Sequence, residues 1–150
     1  MDRTKQEELG AIVTRFETAK GVLEKMAEHL SGSSEMDNIN IPRSDFSVEE
    51  YQLTFPFLGN RVVIKRDIAE DSKGSIIAVV VWRIYDPTTA RYRDEEVVQA
   101  AEEIYSLENP DAPVLERQDI RMLCVEKLFD LIDRNAKNGP SRVGAYAPAT

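Results

Sequence analysis

Apolar residues recur at three- and four-residue spacing through the first thirty positions: Leu9, Ile12, Phe16, Ala19, Leu23, Met26 and Leu30. That period puts them on one stripe of a helix. Thr4 and Glu7 have the T-x-x-E spacing of a capping box, and Gly32 is a natural stop just past Leu30. The same positions fit consecutive heptads, with Leu9, Phe16, Leu23 and Leu30 at one seam position and Ile12, Ala19 and Met26 at the other. Val13, Val22 and Ala27 widen the stripe beyond a narrow seam, and the flanks of the whole helix show no consistent pattern of opposite charges. A broad face suits packing on a sheet of the same domain, with partial use in a dimer as the second reading.

The period then shortens. Residues 31–50 are rich in Ser, Asn and Asp and read as a long loop, with Ser47 and Glu50 spaced to cap a short helical turn. Tyr51, Leu53, Phe55 and Phe57 alternate with polar positions and predict a strand, which Pro56 places at an edge or bulge. After a turn at Leu58-Gly59-Asn60, a second strand puts Val62, Ile64 and Ile68 on the inner face, where Arg66 is the exception. A turn over 70–74 leads into a third strand, 75–85, which is apolar on both faces. Such a strand needs cover on both sides, so either helices pack on both faces or a second copy of the chain supplies the cover.

Asp86-Pro87 is expected to end the sheet. Asp94 followed by Glu95 and Glu96 reads as the start of a helix running to about Ser106, with Val97, Ala101, Ile104 and Tyr105 as its apolar face. A last helix, from Val114 to about Lys137, is expected to bury Leu115, Met122, Val125, Phe129 and Ile132, and carries a second stripe of Ile120, Cys124, Leu128 and Leu131. The expected fold is therefore α+β: a three-stranded antiparallel meander packed by a long N-terminal helix and two C-terminal helices (α-β-β-β-α-α). It forms a single domain over residues 1–138, with residues 139–150 as a flexible tail.

Composition adds class and location. The chain has 150 residues, 42% hydrophobic and 31% charged, with one cysteine and one histidine. That is globular composition with no disulfide framework and no Cys/His zinc spacing. The longest unbroken apolar run, Ile76 to Trp82, is too short for a membrane helix, and the N-terminus lacks the apolar stretch of a signal peptide. A cytoplasmic protein with no membrane association is expected.

Charge is the most uneven property. From Asp94 to Asp119 nine acids stand against the single base Arg117, a net charge of −8 that equals that of the whole chain. The remainder holds 18 acids and 18 bases. A field of this kind steers cationic partners and argues against nucleic acid. The expected function is a non-enzymatic protein-interaction module, chaperone- or immunity-like only in general character. Glu95, Glu96, Glu102, Glu103, Glu108 and Asp111 would present an acidic helical surface to a basic partner protein, in a homodimer.

Two alternatives follow from other residues. Arg61, Lys65, Arg83 and Tyr85, with Arg91, Tyr92 and Arg93 nearby, form a basic and aromatic group suited to a phosphate ligand or nucleic acid. A small enzyme using the concave side of the sheet under the 31–50 segment would need a deep pocket lined by converging carboxylates. The chain contains no glycine-rich phosphate loop, no H-E-x-x-H and no paired cysteine motif, so no cofactor or metal is implied. Cys124 lies in an apolar helix and reads as a buried structural thiol, and His29 as a cap or surface residue near a helix C-terminus.

Overall fold

A computed structural model of the chain describes residues 3–31, 33–39, 41, 45–49, 52–104 and 117–137. The leading helix, α1, spans Arg3–Leu30 and is about 42 Å long at 1.5 Å per residue. Its second half makes the core: Ala19, Leu23, Met26 and Leu30 are buried, with Val22 and Ala27 beside them. Its first half does not, since Leu9 and Val13 are each about half exposed (52% and 51%). Helical conformation is already present at Arg3, so Thr4 lies within the helix, and Glu7 pairs with Arg3 at 3.4 Å.

The strands form one antiparallel sheet in sequence order: β1 (Ser47–Val48), β2 (Gln52–Phe57), β3 (Asn60–Glu70), β4 (Ile76–Asp86) and β5 (Arg91–Ala100). One face carries Leu53, Phe55, Val62, Ile64, Val80, Trp82 and Val97, and these join the α1 residues in a single core cluster. The last helix, α3 (Arg117–Lys137), completes that cluster with Cys124, Leu128 and Leu131. Arg121 Nε donates to the His29 carbonyl at 3.1 Å, and Arg134 Nη1 and Asn135 Nδ2 donate to the carbonyls of Glu96 and Glu95, which ties α3 to the end of α1 and to β5. Arg66, the exception on the inner face, lies beneath α1, where its guanidinium meets Phe16 and Glu17.

The α+β class and the long N-terminal helix hold, while the three-stranded count does not. Residues predicted to begin a helix at Asp94 form β5, followed by a 3-10 turn over Ala101–Glu103. Asp86 does end β4, but its carboxylate accepts the Thr88 N–H at 2.9 Å, and a turn through Ala90 sends the chain back along the same sheet. Pairing explains the outcome. Tyr92 lies opposite Tyr85, Val97 opposite Trp82 and Val98 opposite Val81, so a strand with apolar residues on both sides gains a neighbour along its open edge. Between the Tyr85–Tyr92 and Arg83–Glu96 pairs, β5 takes four steps to the two of β4, so Asp94 and Glu95, which mimic a helix start, sit in a bulge.

Two further expectations are revised. Residues 31–50 are packed where described: a short helix, α2 (Ser34–Asp37), is capped by Ser33; Met36 and Ile41 are fully buried; and the Phe46 ring lies 5.0 Å from that of Phe55. Ser47 pairs with Thr54 in the sheet and does not start a helical turn. On α3 the Cys124, Leu128 and Leu131 stripe faces the core; of the other stripe, Val125 packs against the core partly buried and Ile132 is half-buried, whereas Met122 and Phe129 are exposed. Leu115, Tyr105, Ser106 and the 139–150 tail lie outside the described residues.

Candidate interaction surface

Both long helices pack on the face that carries Trp82, and strand register assigns what lies on the other. Arg61 is paired with Tyr85, Val63 with Arg83, Lys65 with Val81, and Asp67 with Val79. Thr54 lies opposite Val63, Glu96 opposite Arg83, Tyr92 opposite Tyr85 and Val98 opposite Val81. Side chains of paired residues leave a sheet on the same side. All four residues of the basic and aromatic group, Arg61, Lys65, Arg83 and Tyr85, therefore share the face that no described helix covers.

The group is organised by contacts of its own. Arg83 lies 4.3 Å over the Tyr92 ring and 3.6 Å from a Glu96 carboxylate oxygen, and the Tyr85 and Tyr92 rings meet edge to face at 5.2 Å. Lys65 pairs with Asp67 at 3.3 Å. Arg61 donates to the Thr54 hydroxyl at 3.3 Å, and among the described residues no carboxylate pairs with it. Arg93 belongs to the strand-end pairing instead, 3.9 Å from Asp86. On this face Val63, Val79 and Val81 are buried, 3%, 3% and 4% exposed, while Val98 and Tyr92 remain exposed. The surface thus alternates cations, aromatic rings and β-branched residues, and such mixtures of Arg, Tyr and apolar groups are enriched where proteins meet.

The acidic residues are placed differently. Glu95 lies half-buried in the β5 bulge, Glu96 faces Arg83, and Glu102 and Glu103 are exposed on the 3-10 turn beyond the strand. Glu108 and Asp111 lie outside the described residues. The described members occupy a strand and a turn and do not share one helix face.

Between the sheet and the helices, Phe55, Trp82, Leu23, Met26, Met36, Ile41 and Ile64 are fully buried. A hollow of about 130 Å³ lies at the start of β4, lined by Arg15, Ser75, Ile76, Ile77, Ala78 and Glu102. It is well below the roughly 300 Å³ at which small-molecule sites begin. Cys124 is buried, and burial pushes its thiol far above the ordinary range, as expected of a structural cysteine. His29 is buried at the C-terminal turn of α1, not on the surface, because α3 packs across that turn and takes its carbonyl. Among the described residues no cluster of His, Cys, Asp and Glu has the arrangement of a metal site, and no helix is long and apolar enough to cross a membrane. Compared with known protein families, with curated proteins and with solved structures, the chain gives no significant match.

Proposed function

We propose that the protein is a non-enzymatic interaction module that binds through the face of its sheet opposite α1 and α3, using Arg61, Lys65 and Arg83 with Tyr85 and Tyr92 to engage a carboxylate-bearing segment of a protein partner. The supporting observation is the strand register, which gathers these separately placed residues on one face while both long helices occupy the other. Arg61 supplies a cation with no acid of its own among the described residues, and Arg83 is held over Tyr92, so its orientation costs little to fix on binding. Three cations among aromatic and β-branched neighbours suit a short segment with a few carboxylates better than a nucleic acid, whose run of phosphates calls for Lys and Arg clustered over the whole docking face.

The second reading keeps the acids as the partner surface, with Glu102 and Glu103 meeting a basic protein. What favours it is their exposure within the acid-rich 94–119 stretch. Capture from an extract of the cells that make the protein separates the two. We expect retained partners to be lost from Arg61→Glu/Lys65→Glu protein and kept by Glu102→Lys/Glu103→Lys protein. The opposite outcome supports the acidic surface, and loss of the retained material on nuclease treatment assigns the sheet face to nucleic acid.

A further inference from the structure

The first half of α1 extends an apolar stripe past the protein's own core. From Ala19 onward the stripe is filled by the sheet, but Leu9 and Val13 are half exposed, and Ile12 and Phe16 on the same stripe are only partly covered. We propose that a second copy of this chain packs on this segment, the two α1 helices crossing antiparallel with Leu9, Ile12 and Val13 at the centre. This surface is separate from the sheet face and does not depend on it.

Charge selects the occupant and the direction. Glu8 and Arg15 are seven residues apart, which places them along one flank of the apolar stripe, two turns from each other. When two such helices run antiparallel about a point between those residues, each Glu8 meets the partner's Arg15, and symmetry makes the pair twice. A parallel arrangement sets Glu8 beside Glu8 and Arg15 beside Arg15. Arg15 is held near this position by its own fold, since its Nη1 donates to the Ile76 carbonyl at 2.8 Å, and a guanidinium has further N–H groups for a carboxylate. A membrane surface fits less well: Glu7, Glu8 and Glu17 are interspersed with Arg3, Lys5 and Arg15, so the segment has no cationic excess to meet anionic lipid.

Sedimentation equilibrium on the full chain tests the proposal. The wild type should be a dimer, and Leu9→Glu/Val13→Glu protein a monomer with an unchanged far-ultraviolet spectrum, because both positions lie outside the core. Glu8→Arg should weaken dimerisation at least about tenfold by setting like charges together twice, and adding Arg15→Glu in the same chain should recover most of the loss. A monomeric wild type overturns the proposal. So does a Leu9→Glu/Val13→Glu dimer as tight as the wild type, or a doubly swapped chain no tighter than Glu8→Arg alone.

Discussion

The Arg66 guanidinium lies 4.3 Å over the Phe16 ring and donates from Nη1 to the Phe16 carbonyl at 2.9 Å, with a Glu17 carboxylate oxygen 3.2 Å away. A strand position that ought to be apolar thus carries a cation that fastens the middle of α1 to β3. Glu17 remains mostly in solvent, so the ion pair itself is only partly desolvated. Arg66→Ala should cost about 2–4 kcal/mol in urea unfolding, through the cavity and the lost hydrogen bonds. Arg66→Met should cost less than half as much, because similar volume fills the slot with no charge to desolvate.

Neighbouring residues on α3 should respond in opposite ways. Leu128 is buried in the core cluster, whereas Phe129 is 74% exposed. Leu128→Ala is expected to lose about 2–4 kcal/mol, and Phe129→Ala to stay within about 0.5 kcal/mol of wild type, by the same unfolding measurement.

That contrast marks where the sequence stops being readable. Helical period alone showed that α3 has two apolar stripes, but which one faces inward depends on β5, and β5 was hidden. Asp94-Glu95-Glu96 carries the local chemistry of a helix start, and the free edge of β4 overrides it by pairing with Tyr92, Val97 and Val98. The Asp86-Pro87-Thr88 turn and the Val97-Val98 pair were the available signals. Local pattern and tertiary contact agree in α1, β2, β3 and β4, which lie within a residue or two of their expected places. The basic group was legible as residues, and its gathering on one face needed only the register of three strands already in view. The acidic group reads as one surface only with a helix beneath it, and the structure has a strand and a turn there.

The β2–β3 turn stores strain that a single substitution should release. Leu58 and Gly59 link the paired residues Phe57 and Asn60, and both have positive φ, 52° for Leu58. Two positive angles in a two-residue hairpin suit Asn-Gly. Leu58 is exposed, so Leu58→Asn should stabilise the protein by about 0.5–1 kcal/mol, read as a raised midpoint at unchanged urea slope.

Cys124 should make stability fall with rising pH. Its ordinary value is 9.0, and burial raises it in the folded protein. Below pH 9 the thiol is protonated in both states and its contribution is intact. Above it the unfolded chain releases a proton that the folded chain keeps, which favours unfolding by up to about 1.4 kcal/mol per pH unit. The stability difference between wild type and Cys124→Ala should therefore shrink from pH 8 to pH 10, and alkylation of the thiol should follow global unfolding.

Methyl NMR during titration with a captured partner tests the sheet-face reading most directly. Binding there should shift the Val63, Val81 and Val98 methyls on the face opposite α1 and α3 and leave Leu128 and Leu131 unmoved. Shifts absent from those valines and confined to the surroundings of Glu102 and Glu103 would contradict it.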